Sequence, residues 1–179
     1  MNKYFIVILG LIVLVLVVVT TIQRPEPQMD NGTLNVSDSF YPLAEFARNV
    51  GGENVNVQTI VTSGVEPHDF EPTPNNVKNI LESDIVLYNG AGLDTWMSDI
   101  VSENAFAGEA MDMSAYVPLK AAIEEEPHEG EPAKGEGKFD PHFWLDPISA
   151  QTLVRVIAEK FSTIDSDNAA IYQERADTY

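Results

Sequence analysis

Short segments with the patterns of β-strands and amphipathic helices alternate three times along residues 33–113, and this alternation constrains the fold more than any other feature. The predicted strands cover residues 33–37, 55–61 and 84–88, with a weaker fourth strand at 109–113. Predicted helices begin at Pro42, at Pro74 after Thr73 as N-cap, and near Leu93, and Asp146 is expected to cap another that starts at Pro147. Short connections between such segments favour parallel strands with helices on both faces. We therefore predict an α/β lobe built on a parallel sheet.

The composition narrows the classes of partner. The chain has 179 residues, with 28 acidic against 10 basic side chains and a formal net charge of -18. This balance argues against nucleic acid or an anionic membrane surface as partner, because both require basic patches. The chain contains no cysteine, which excludes disulfides, a thiolate zinc site and a cysteine nucleophile.

Two regions are expected to lie outside the packed lobe. Residues 1–24 carry Lys3, an apolar run and Arg24, which is typical of a secretory signal or an uncleaved membrane anchor. We favour the anchor, followed by a tether at 25–32, so that the remainder is extracytoplasmic. Residues 121–138 are rich in glutamate, proline and glycine, which predicts a mobile acidic loop. His128 within it is either incidental or part of an arm that collects cations.

The segment from residue 63 to 74 reads Ser-Gly-Val-Glu-Pro-His-Asp-Phe-Glu-Pro-Thr-Pro, and it leaves the carboxyl end of the second predicted strand. Proline and glycine make it a stiff loop. Parallel sheets bind ligands at this edge, so His68 is a candidate ligand. Glu66 and Asp69 are candidates for contacts that orient it.

A second histidine occurs in a comparable setting, in Asp-Pro-His142-Phe-Trp. Neutral imidazole is a common ligand for zinc and other divalent ions, and a nearby carboxylate can fix its orientation. Two histidines from separate loops would supply half of a tetrahedral set. Trp144 is a candidate wall of the same site. The alternative is that both histidines belong to loops that only cap helices.

Three motifs together resemble a known family. They are Gly-Val-Glu-Pro-His-Asp-Phe-Glu-Pro-Thr-Pro, Tyr-Asn-Gly-Ala-Gly-Leu-Asp-Thr-Trp-Met and Asp-Pro-His-Phe-Trp-Leu-Asp-Pro. They are similar to motifs of the zinc/manganese-binding subunits of ABC importers. The resemblance implies two β/α lobes joined by a long helix, with Zn²⁺ or Mn²⁺ between them. It also implies that the first lobe, here residues 33–164, supplies His68 and His142.

The resemblance carries further expectations. Residues 165–179 look like the start of the linking helix, so the second lobe and its ligands are expected to be missing and the chain to be a fragment. The absence of the family's lipid-anchoring cysteine agrees with an apolar anchor. We expect a monomeric, non-enzymatic protein that captures Zn²⁺, or alternatively Mn²⁺, and delivers it to an ABC permease. The alternatives are a metal-dependent hydrolase using His68 and His142, with Asp69 or Glu66 as base, and a surface adhesion domain.

Overall fold

Four parallel strands form one sheet in the computed structural model, which describes residues 32–103, 106–122 and 138–179. The strands are β1 (Leu34–Asp38), β2 (Val55–Thr59), β3 (Ile85–Tyr88) and β4 (Glu109–Asp112). Their order is β2-β1-β3-β4, and every neighbouring pair is parallel. The predicted parallel α/β sheet is confirmed.

Five helices accompany the sheet in the described ranges, and two of them begin at a proline directly after the predicted capping residue. They are α1 (Tyr41–Gly51), α2 (Pro74–Leu81), α3 (Thr95–Glu103), α4 (Pro147–Ile164) and α5 (Ala169–Thr178). At α2, Thr73 accepts from the backbone N–H of Asn76, whose side chain accepts from Thr73 in return. At α4, the Asp146 carboxylate accepts the backbone N–H of Ser149. Each bond satisfies a donor that the first helical turn leaves without a partner.

The core lies on both faces of the sheet. Along β3, Ile85 and Leu87 pack into one buried cluster with residues of α1, α4 and α5. The residue between them, Val86, packs into a second cluster with residues of α2 and α3. Because side chains alternate along a strand, one fully buried strand serves both layers. The predicted placement of helices on both faces is confirmed.

The last helix begins later than the sequence predicts. We expected Asp165 or Ser166 to cap it, but α5 begins at Ala169 after a 3₁₀ turn at Ser166–Asn168. The Asp165 carboxylate instead accepts the Tyr172 hydroxyl at 2.6 Å and the Asn168 amide at 2.8 Å. Asp165 thus stands at the N-cap of the 3₁₀ turn and Asn168 at that of α5, so the predicted start of this helix is too early.

Several predictions fall on residues that the structure does not describe. The anchor at 1–24, the tether up to residue 31, and residues 123–137 with His128 lie outside the described residues. At the two ends of the acidic segment, Ala121 pairs antiparallel with Phe139, and Asp140 N–H donates to the Lys120 carbonyl at 2.9 Å. No helix within the described ranges is both long and apolar enough to cross a membrane.

Candidate metal centre

The two predicted histidines lie near each other at the carboxyl edge of the sheet. In the order β2-β1-β3-β4, the second strand of the chain lies on one side of β1 and the third strand lies on the other side. Such a reversal of strand order opens a crevice where α/β proteins bind ligands. His68 follows β2 and His142 precedes α4, yet their ring centroids are 6.1 Å apart with planes tilted by 56°. The fold thus brings together two imidazoles that are 74 positions apart in the sequence.

The loop that carries His68 is stiffened by a short 3₁₀ turn at Pro67–Asp69. Glu66 precedes this turn and accepts the backbone N–H of His68 at 3.5 Å, so it acts on the backbone rather than on the ring. Within the described residues, no hydrogen bond or ion pair joins Asp69 to either imidazole. The predicted orienting roles of Glu66 and Asp69 toward the His68 ring remain predictions.

Asp140 orients His142 directly. One carboxylate oxygen of Asp140 lies 2.8 Å from Nδ1 of His142 and also accepts the His142 backbone N–H at 2.9 Å. The backbone bond first, and the ring bond second, lower the pKa of the Asp140 carboxyl. A carboxylate at Nδ1 favours the tautomer with the proton on that nitrogen, which leaves Nε2 with a lone pair for a metal ion.

Trp144 lies beside His142, and its role as a wall of the site remains a prediction. Its ring centroid is 5.2 Å from that of His142 and 4.7 Å from that of Phe40, which it meets edge-on. Phe143, which lies between His142 and Trp144 in the sequence, is buried in the core. Aromatic packing therefore attaches the segment that carries His142 to the start of α1.

The pair of imidazoles matches half of a metal site. With Zn–N distances of about 2.0–2.1 Å, two imidazoles on one tetrahedral zinc have centroids roughly 5 Å apart. The observed separation of the two centroids is 6.1 Å, so His68 and His142 remain candidates for half of such a site. In the described ranges, no group of three or more His, Cys, Asp or Glu side chains could hold a metal.

The sequence analysis did not single out Asp140, although a signal for it was present. Asp140 precedes His142 by two positions in Asp-Pro-His, and a carboxylate beside a ligand imidazole is a common arrangement. Pro141 between them has a fixed φ and also restricts the backbone of Asp140. This spacing is the sequence signal for Asp140 as an orienting residue, beside the predicted candidates Glu66 and Asp69.

Known proteins share this fold and sequence. Residues 36–179 match the family model described as ZnuA, zinc-uptake complex component A, periplasmic. The high-affinity zinc uptake system protein ZnuA of Bacillus subtilis is 32% identical over 151 residues, covering 82% of this chain and 47% of that protein. The manganese ABC transporter substrate-binding lipoprotein scaA of Streptococcus gordonii is 30% identical over 183 residues, covering 100% of this chain and 57% of that protein. The Zn(II)-bound ZnuA-like domain of Streptococcus pneumoniae AdcA has a TM-score of 0.68 and 29% identity, covering 83% of this chain and 51% of that one.

The parallel sheet with its flanking helices is the lobe of a metal-receptor fold. The chain belongs to the ZnuA family of metal-binding transport proteins, which are solute-binding proteins and not enzymes. It spans roughly half the length of these relatives, or less in the case of AdcA of Streptococcus pneumoniae, where it covers 30%. The resemblance stated from the motifs is confirmed at the level of the family.

Proposed function

We propose that this protein is an extracytoplasmic solute-binding protein that captures Zn²⁺, with Mn²⁺ as the alternative ion, and delivers it to an ABC permease. The approach of His68 and His142 to 6.1 Å at the ligand-binding edge of the sheet carries this proposal. Relatives named for zinc uptake and for manganese transport support both the function and the choice of ions.

Coordination by the two imidazoles is the chemical basis of capture. His142 binds through Nε2, because Asp140 lies at Nδ1, and His68 supplies the second nitrogen. Two imidazoles fill half of a tetrahedral set, so the described residues alone bind the ion weakly and with little selectivity. Only neutral imidazole binds metal, so protons compete with the ion and the affinity falls as the pH drops.

We infer the following organisation around this site. The metal-binding lobe comprises residues 33–164, and residues 165–179 begin the link to a second lobe. Residues 25–32 tether the lobe to the membrane-associated segment at 1–24. The protein acts as a monomer that docks on the permease, and His128 in the acidic segment collects ions for the site. The strong negative charge of the chain, formally -18, favours the approach of cations.

Calorimetric titration of the whole chain with Zn²⁺ and Mn²⁺ tests the ligand assignment. We expect His68→Ala and His142→Ala each to abolish most of the binding heat, because each removes one of the two ligands. Gln151→Ala is the control, since it removes an exposed polar side chain of α4 and leaves all three histidines intact. Unchanged binding in both of the first two variants would refute the assignment.

The same material separates the solute-binding function from the hydrolase. Metal-dependent turnover of ester or phosphate substrates that is lost in His68→Ala and His142→Ala would favour hydrolysis. We expect no such turnover, because the relatives are named as metal uptake and substrate-binding components of transporters.

A further inference from the structure

Asn89, directly after β3, connects the centre of the sheet to the segment that carries His142. It is fully buried, and it lies where β3 borders β1, at the reversal of strand order. Its side-chain Nδ2 donates to the carbonyl of Pro141 at 3.0 Å, across 52 positions of sequence, and to the carbonyl of Gly90 at 3.2 Å. Pro141 is the residue immediately before His142, so this bond acts on the backbone that presents the candidate ligand.

The surroundings of Asn89 hold it in a fixed position. The buried carboxylate of Asp94 accepts the backbone N–H groups of Asn89 at 2.6 Å and of Gly90 at 2.8 Å. The Asn89 carbonyl in turn accepts the N–H of Ser114, which follows β4, at 3.0 Å. Residue 90 has a φ of +73°, and a Cβ there would collide with Asp112, so glycine is required at this turn. Asn89 is therefore an anchored donor rather than a side chain that adapts to its neighbours.

The two polar atoms of the Asn89 side chain differ in their bonding, because the nitrogen has two acceptors and the oxygen has no donor in the described residues. Among the described residues, the Asn89 side-chain oxygen is buried without a hydrogen-bond partner. A leucine of nearly the same shape would remove this oxygen, but it would also leave the carbonyls of Pro141 and Gly90 without their donor. The amide donor is therefore the polar group through which the Asn89 side chain bonds to the segment before His142.

We propose that Asn89 is a positioning residue for metal capture, which fixes the Pro141–His142 backbone while Asp140 fixes the His142 ring. The inference rests on the proposed function, because the ion is what the positioned ring receives. The loop that carries His68 has no corresponding bond to the sheet in the described residues; the side-chain bond there comes from Glu66, two positions away. Asn89 therefore acts on one of the two ligands, and this asymmetry makes the proposal testable.

A double-mutant cycle with Zn²⁺ as the probe measures that asymmetry. Histidine-labelled protein is titrated with Zn²⁺ while the imidazole ¹H–¹⁵N signals are followed, which reports weak binding at each ring separately. We expect Asn89→Leu to weaken binding about tenfold in the native and His68→Ala backgrounds, in line with other residues that support metal ligands. In the His142→Ala background we expect no further loss. An equal loss in both histidine backgrounds, or no loss in the native one, would overturn the proposal.

A metal-free measurement keeps this inference separate from the proposed function. The ¹⁵N order parameter of the His142 backbone amide is expected to fall in Asn89→Leu, while that of His68 stays unchanged. If the native protein bound no Zn²⁺, the proposed function would fail, but this arm would still decide the positioning role. An unchanged His142 amide would overturn it. Should Asn89→Leu not fold, Asn89→Ser serves in both arms, because its shorter hydroxyl does not reach Pro141.

Discussion

Asp38, at the carboxyl end of β1, makes the stability of this lobe depend on pH near neutrality. Its side chain is fully buried, and burial raises its pKa from 3.8 to about 8, against the opposing influences of the Arg48 charge and a hydrogen bond from Thr59. The other carboxylate oxygen has no hydrogen-bond partner among the described residues. The folded state therefore retains a proton on Asp38 at pH values where the unfolded chain has lost it.

The sign and size of the effect follow from proton linkage. Between about pH 4 and 8 the folded state binds more protons than the unfolded state, so the free energy of unfolding falls as the pH rises through this window. The contribution is fully present below pH 4 and is lost above pH 8. A full shift from 3.8 to about 8 corresponds to a limit of about 6 kcal/mol at 1.36 kcal/mol per unit. Between pH 5.5 and 7.5 the expected change is about 2.7 kcal/mol by the same conversion.

Asp38→Asn isolates this contribution, because asparagine has the shape of the protonated acid and does not titrate. Urea unfolding of both proteins at pH 5.5, 6.5 and 7.5 gives the difference in unfolding free energy at each pH. We expect the variant to gain about 2.7 kcal/mol on the native protein between the first and last pH. Asp177→Asn, at an exposed position of α5, is the control and should show no such trend. A difference between native and Asp38→Asn protein that is independent of pH would refute the reasoning.

Three further predictions concern the site and its support. Asp140→Asn should weaken Zn²⁺ binding about 10- to 100-fold in calorimetry, because it removes the charged acceptor that holds Nδ1 of His142. Thr73→Ala should lower the unfolding free energy by about 1 kcal/mol in urea titrations, because it removes the capping box of α2. Tyr172→Phe should lower it by about 1.5–3 kcal/mol, because the buried hydroxyl donates to the Asp165 carboxylate at 2.6 Å.

Each of these predictions has a matched control in the chain. Asp177→Asn removes an exposed carboxylate of α5, so a loss of Zn²⁺ affinity as large as that of Asp140→Asn would contradict the orienting role of Asp140. Thr163→Ala, on the exposed side of α4, should not destabilise the protein as Thr73→Ala does. Tyr41→Phe removes an exposed hydroxyl, and a loss as large as that of Tyr172→Phe would argue against the buried hydrogen bond as the cause.

Local patterns in the sequence were sufficient to predict the fold class and most element boundaries. Helix starts at Pro74 and Pro147 follow from a capping residue followed by proline, which depends only on neighbours in the chain. The exception is the last helix, where Asp165 precedes a 3₁₀ turn at Ser166–Asn168 and α5 begins only at Ala169. Local capping patterns do not distinguish a 3₁₀ turn from the first turn of an α-helix.

The sequence by itself determined that strands and helices alternate, where most of them begin, and that His68 and His142 occupy comparable loops. These properties follow from periodicity and backbone preferences, which act over a few residues. The tertiary structure alone decided the order β2-β1-β3-β4, the 6.1 Å approach of the two imidazoles and the bond from Asn89 to Pro141. It also decided that Asp38 is buried with an unpartnered oxygen. Contacts and burial of this kind depend on how distant segments pack, and neither neighbouring residues nor composition specify that packing.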